Sequence, residues 1–140
     1  MATQRSYSGL IDRLKSAGLR PTRQRLALAK ILFGRGDRHL SAEQLHGEAM
    51  EAQVRVSLAT VYNALHQFTD AGLLREVVVE PGRSYFDTNV EDHHHFYHSD
   101  TGHLEDIPSG EVRLSALPKP PRGTQVARID VVIRVEGDRE

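Results

Sequence analysis

The chain has 140 residues, 39% of them hydrophobic and 26% charged, which suits one or two small globular domains rather than a disordered or membrane protein. No apolar run approaches the eighteen or so residues of a membrane span, and the opening MATQRSYSGL has no secretory apolar core, so a cytoplasmic location is expected. There is no cysteine, which removes disulfides, thiolate metal sites and cysteine nucleophiles.

The net charge of −1 conceals an asymmetry. Residues 1–38 carry nine Lys/Arg against Asp12 and Asp37, whereas residues 91–140 carry six basic and ten acidic residues. A basic front fits a polyanion, and it equally fits a solvated helix face. Histidine is the second anomaly. Of eight, five fall within residues 93–103, in HHHFYHSDTGH, far from either terminus, where a tag would stand.

In chain order, Leu10, Ile11, Leu14 and Ala17 share one helical face, and Gly18 is placed to end that helix. Arg20 precedes Pro21 and should be extended; Thr22 then caps a second helix running through Leu26, Leu28, Ile31, Leu32 and Phe33. GRGDRH reads as a loop. Ser41 and Gln44 form a capping-box pair that opens a third helix, with Ala42, Leu45, Ala49 and Ala52 inward.

A fourth helix from Ser57 to Ala71 has the clearest period. Leu58, Val61, Leu65 and Phe68 make its apolar arc. The opposite arc holds Ala59, Thr60, Asn63, His66 and Gln67, with Tyr62 on its flank and no acid before Asp70. A routine solvent face is richer in Glu and Lys, and a carboxylate-free face is what DNA requires. Tyr62 also reads as an aromatic that simply packs at the core's edge. Gly72 ends the helix; residues 73–79 and 84–87 then read as strands joined by a turn at Glu80-Pro81-Gly82-Arg83. Three helices, a fourth displaying polar groups, and a hairpin predict a winged helix-turn-helix.

The linker TNVED leads into a histidine strand, 93–98, and a tight turn at Asp100-Thr101-Gly102 opens a second strand, 103–107. Four of six prolines fall in residues 108–124, which argues against a long helix there, and QVARIDVVIRV (125–135) alternates as a strand. This back half is too short to hold a core alone; pairing with a second copy, or docking on the front domain, would supply the missing burial, and a dimer is expected.

The segments LRPTRQRLAL, HLSAEQL, SLATVYNALHQFTDAGLL and SYFDTNVEDHHHFYH, in this order, resemble the ferric uptake regulator (Fur) family from about residue 9 to 107. The shortened back half and the cysteine-free HHHFYH are similar to its iron response regulator branch. The resemblance implies an α+β fold: a winged helix-turn-helix DNA-binding domain over 1–88 and a small α/β dimerisation and sensing domain over 89–140. It also implies an iron- or haem-responsive transcriptional regulator, mainly a repressor, that binds double-stranded operator DNA as a homodimer or a higher oligomer. The alternative is a relative responding to manganese, zinc or peroxide.

On DNA, the helix from Ser57 would be the reader, with Thr60, Tyr62, Asn63 and Gln67 near bases; Asn63 and Gln67 suit bidentate adenine readout. Arg20 resembles the family's minor-groove contact, and Arg23 and Arg25 are candidate phosphate binders. For metal, strand alternation puts His93, His95 and Tyr97 on one face and His94, Phe96 and His98 on the other. The resemblance implies an interdomain site of His39, Asp87 and His95, with His93 as neighbour and Asp106 or Glu105 as a further carboxylate. The family's other histidine there falls at Tyr97, an apparent loss. A second site would use His94, but its acidic ligand falls at Phe96; Asp130, His98 and His103 are the substitutes. Which of His93, His94 and His95 faces which site stays open. Nitrogen and oxygen donors suit Fe(II), Mn(II) or Zn(II) without choosing among them. Haem on His93, His94 or His95, in a slot by Phe96 and Tyr97, is the competing ligand. His39, His46 and His66 offer a secondary haem region, against which His46 and His66 read better as surface helix residues.

Rival classes fare worse. A metallohydrolase would want an HExxH-type pattern or a general base apart from the ligands, and a histidine-rich storage protein leaves the carboxylate-free helix unexplained. The expectation is a regulator, not an enzyme.

Overall fold

The computed structural model describes residues 2–137, with side chains from residue 9 onward. Arg5 of the basic front and Asp138, Arg139 and Glu140 of the acidic back lie outside those side chains. The chain divides into two compact units, Met1–Val90 and Glu91–Glu140.

The first unit runs α1 (Ala2–Ser16), α2 (Arg23–Phe33), β1 (His39–Leu40), α3 (Ala42–Glu51), α4 (Leu58–Asp70), β2 (Arg75–Glu80) and β3 (Arg83–Asp87). Each helix stops and starts where its local chemistry dictates. At the end of α1, Gly18 adopts φ +81°, and the N–H of Leu19 donates to the Leu14 carbonyl at 2.9 Å, closing the left-handed cap that only glycine enters cheaply. Gly72 (φ +82°) repeats this after α4, with Leu73 N–H on the Phe68 carbonyl at 2.9 Å. The Thr22 hydroxyl accepts from Arg25 N–H to open α2, and Ser41 and Gln44 complete a reciprocal capping box on α3.

Leu14, Leu28, Leu32, Leu45, Val61, Leu65 and Phe68, all at most 1% exposed, pack the helices into one core. Truncating Phe68 to Ala would cost about 3–5 kcal/mol. Two expected core positions are not there. Leu58, the first residue of α4, is 36% exposed, and Ala52 is exposed because it is the C-cap of α3 and turns away from the core. The wing is a three-stranded sheet of order β1-β3-β2. The loop expected through GRGDRH ends early, because His39 and Leu40 pair with Asp87 and Phe86 as β1. The second wing strand, expected from Leu73, begins at Arg75, since the Leu73 N–H closes the cap of α4 on the Phe68 carbonyl. Thr88, placed by sequence in a linker, is buried and exchanges hydrogen bonds with the backbone of Arg38.

The second unit is a sheet of order β5-β4-β6: β4 (His94–His98), antiparallel to β5 (His103–Ile107) and parallel to β6 (Val132–Val135). Its described residues contain strands only, and residues 108–131, with four prolines, form neither helix nor strand. The expected strand over 125–135 is cut to four residues. The ladder with β4 runs from His95 to His98; before it, Val131 still bonds β4 through its carbonyl, which accepts the His95 N–H at 3.1 Å. The fold as a whole is mixed helix and sheet, as expected. No helix among the described residues is long and apolar enough to cross a membrane.

Candidate metal centre and nucleic-acid interface

The alternation of β4 sets the metal centre. His95 and Tyr97 face the buried side, while His94, Phe96 and His98 face the other, only half-buried. His93 precedes the strand on the side of His95, and the two rings lie 4.5 Å apart by centroid. Asp106 is the cross-strand partner of His95. Its Oδ1 lies 3.3 Å from His95 Nε2 and 3.5 Å from His93 Nε2, and one ligand atom from each of the three residues fits within 4.8 Å of the others. The His93 and His95 side chains are 9% and 3% exposed, against 50% for Asp106. His93 Nδ1 sits 2.6 Å from the Glu91 carbonyl oxygen, which only accepts, so Nδ1 is the donor there and Nε2 is the nitrogen turned to Asp106. Two imidazole nitrogens and a carboxylate converging at this spacing fit a divalent first-row cation without a sulfur ligand.

The register left open in the sequence thus resolves within this unit. Tyr97 is fully buried, and the imidazole that lies beside His95 is that of His93. His94 turns away; its Nδ1 accepts the Val131 N–H at 3.1 Å and holds the approach to β6. His98 and His103 are cross-strand partners with rings 5.4 Å apart, and His98 Nε2 lies 2.9 Å from Glu105 Oε1, so Glu105 serves that face and not the one holding Asp106. Asp130 pairs with Arg128 at 2.9 Å. A cavity of about 180 Å³ beside His93 and His94 is smaller than the roughly 300–1,000 Å³ of a pocket for a drug-sized ligand, and Phe96 and Tyr97 point to opposite faces of β4.

In the first unit, His39 and Asp87 are Cα partners across β1 and β3, and Asp87 also pairs with Arg75 of β2. Asp87 is 1% exposed; its Oδ1 accepts the Asn89 N–H at 2.9 Å. Arg75, which sequence reasoning passed over, is itself buried at 2%. Only the register could have revealed it, since a buried carboxylate calls for a cationic neighbour.

The outer face of α4 is open. Ala59, Asn63, His66 and Gln67 are exposed, while Thr60 and Tyr62 are half-buried; the Ser57 hydroxyl accepts Thr60 N–H as the helix cap and is used locally. Between α2 and α4 runs a groove of about 270 Å³ lined by Thr22, Arg25, Thr60, Asn63 and Gln67 among others. Arg25, a candidate phosphate binder, directs three of its N–H donors within this unit, two to Gln67 Oε1 and one to the Arg20 carbonyl; Arg23 is exposed. Tyr62 donates its hydroxyl to Glu43 Oε1 at 2.8 Å. That bond holds the Glu43 carboxyl below its usual range and raises the Tyr62 phenol. The face free of carboxylates along its own helix therefore meets one from α3, a contact between distant residues that no local pattern announces. Of the remaining histidines, His46 bonds the Val56 carbonyl at 3.1 Å, and His66 lies edge-on to Phe86.

Similarity to known proteins agrees with this arrangement. The model of the ferric uptake regulator family matches residues 16–132. The chain belongs to the ferric uptake regulator (Fur) family. Members of that family are regulators, not enzymes, which removes the hydrolytic reading. The ferric uptake regulation protein of Vibrio cholerae (strain O395) is 36% identical over 99 residues, covering 71% of this chain and 61% of the relative. That of Escherichia coli K12 is 38% identical over 81 residues, covering 58% and 55%. The chain thus spans about six-tenths of the length of the curated Fur relatives it matches. Among solved structures, the Pseudomonas aeruginosa ferric uptake regulator with manganese superposes with a TM-score of 0.69 at 30% identity, covering 91% of this chain and 97% of that one. The Vibrio cholerae Fur crystal structure shares the fold, at a TM-score of 0.71 and 24% identity, covering 91% and 98%.

Proposed function

We propose that this Fur-family chain is a metal-responsive transcriptional regulator that binds operator DNA as a homodimer, with the first unit reading DNA and the second sensing metal and pairing with a second copy. The observation that carries it is the conjunction of an open, amide- and hydroxyl-bearing α4 face with the His93–His95–Asp106 convergence, in one chain. Thr60, Tyr62, Asn63 and Gln67 read base edges, and Arg20 and Arg23 hold phosphates. His93, His95 and Asp106 hold the cation, with His39 and Asp87 as the further donors that the resemblance implies. A bound divalent ion would supply a fixed positive charge binding two imidazoles and a carboxylate into one arrangement. The Pseudomonas relative, solved with manganese, supports a hard or borderline cation here.

The finer reading, iron or haem as effector, is carried by the resemblance to the iron response regulator branch. The geometry favours the free cation: the triple histidine is split between two faces, and the cavity at its start is small for a macrocycle.

The test is fluorescence anisotropy of the full chain on short duplexes of randomised sequence, with EDTA, Mn(II), Fe(II), Zn(II) or haem. Metal is expected to tighten binding by about tenfold or more, within the span of known coupling energies. The affinity should fall with salt, by about 0.9 log per log for each phosphate neutralised. Equal affinity under every condition would overturn the metal-responsive reading, and no binding at all would overturn the DNA reading.

A further inference from the structure

We infer that Gln67 reads DNA as a hydrogen-bond donor only, because Arg25 occupies its carbonyl oxygen; this rests on the proposal that α4 is the DNA-reading helix. Arg25 Nε and Nη2 lie 3.2 and 2.9 Å from Gln67 Oε1, and Arg25 Nη1 lies 3.0 Å from the Arg20 carbonyl oxygen. A guanidinium carries donors and no acceptor, so the atom facing it must be the amide oxygen, and the orientation of the carboxamide follows from chemistry. Two N–H groups on one oxygen use both its lone pairs. What Gln67 keeps is Nε2, with two hydrogens and no protein partner among the described residues, on an exposed position of the α2–α4 groove.

This changes what the residue can recognise. A glutamine reads adenine by accepting from N6–H while donating to N7. With its acceptor spent on Arg25, Gln67 donates to acceptor edges: O6 and N7 of guanine, or O4 of thymine. Cytosine presents a donor there and is opposed, and adenine leaves its N6–H₂ unanswered. Asn63, one turn earlier and without a protein partner among the described residues, keeps both halves of its amide for adenine. Arg25 acts as a positioning residue, setting the polarity of a neighbour and not itself touching a base.

The test is selection of bound duplexes from a randomised pool by the Mn(II)-loaded full chain, followed by sequencing, for wild type, Gln67→Glu and Arg25→Met. The position at which Gln67→Glu alters the profile is the one Gln67 reads. Wild type should favour guanine or thymine there over adenine and cytosine by about fivefold, the weight of one net hydrogen bond. Gln67→Glu keeps the Arg25 pairing but offers only acceptors, and should move the preference to cytosine or adenine. Arg25→Met frees the amide to rotate and should move it to adenine; Arg25→Leu, which likewise offers no donor to Gln67 Oε1, is the second variant, with the same expected shift, if the first does not fold by circular dichroism. A merely structural Arg25 would lower affinity for all sequences equally and leave the profile unmoved. Adenine preferred by wild type, or an Arg25→Met profile identical to wild type, overturns the inference alone. Failure of the wild type to bind any duplex overturns the DNA reading, and this inference with it.

Discussion

His93 and His95 stand with their rings 4.5 Å apart and both Nε2 atoms turned to Oδ1 of Asp106. Asp106 is half-exposed, so replacing it should leave the sheet intact. Asp106→Asn removes the one charged donor the sheet adds to the imidazoles and should weaken Mn(II) and Zn(II) binding by at least about tenfold in isothermal titration calorimetry. Glu105→Gln, one residue away but on the His98 face, should leave that affinity unchanged. If the two variants behave alike, the centre is misplaced.

Ser41 and Gln44 fasten the start of α3 by two reciprocal bonds, Ser41 N–H to Gln44 Oε1 at 2.8 Å and Gln44 N–H to the Ser41 hydroxyl at 3.1 Å. Ser41→Ala should cost about 1 kcal/mol. In a unit of this size that lowers the melting temperature by roughly 4–8 °C in calorimetry. An unshifted transition would mean that water replaces the cap at no cost.

These local devices were the legible part of the chain. Thr22, Ser41, Ser57, Gly18 and Gly72 mark helix ends through bonds spanning three to five residues, so their pattern is visible in sequence. The strand period put His93 with His95 and His94 opposite for the same reason. What stayed hidden depends on partners far along the chain: Glu43 reaches Tyr62 across nineteen positions, and Arg25 reaches Gln67 across forty-two. β1 was hidden too, because two residues have no period and become a strand only when β3 lies beside them. At Tyr97 the motif gave only a family position without its histidine; that the His93 ring lies beside His95 emerges from the folded strand.

Arg38 grips Glu48 with a fork, Nη1 to Oε1 at 2.9 Å and Nη2 to Oε2 at 2.6 Å, and this bonding holds the Glu48 carboxyl below its ordinary 4.5. A carboxyl depressed in the folded state adds stability that is whole above the unfolded value and is lost as pH falls through the folded one. Wild type should therefore lose about 1 kcal/mol more than Glu48→Gln as pH drops from above 4.5 through the acid limb, a modest sum because the pair is partly wet. Urea denaturation at a series of pH values measures it. Parallel acid limbs for the two proteins would show that the fork contributes nothing.

Tyr62 and Glu43 share one hydrogen bond whose effects run in opposite directions on the two partners. The phenol is raised above 10.0 first by its bond to Glu43, and the Glu43 carboxyl is lowered from 4.5 first by the bond from Tyr62. The linked stability is thus complete between the two ordinary values. It is lost below, as pH falls through the Glu43 folded value, and above, as pH rises through that of Tyr62. Glu43 is exposed and Tyr62 only half-buried, so water screens the pair and each limb amounts to only a few tenths of a kcal/mol. The sharper readout is the phenol itself. In Glu43→Gln, one tyrosine should titrate at lower pH than in wild type by ultraviolet absorption, and Tyr62→Phe should remove that same transition. The two substitutions should then be non-additive in stability, because either one alone breaks the bond. Additive losses, or a tyrosine titration untouched by Glu43→Gln, would show that the hydroxyl and the carboxylate act independently.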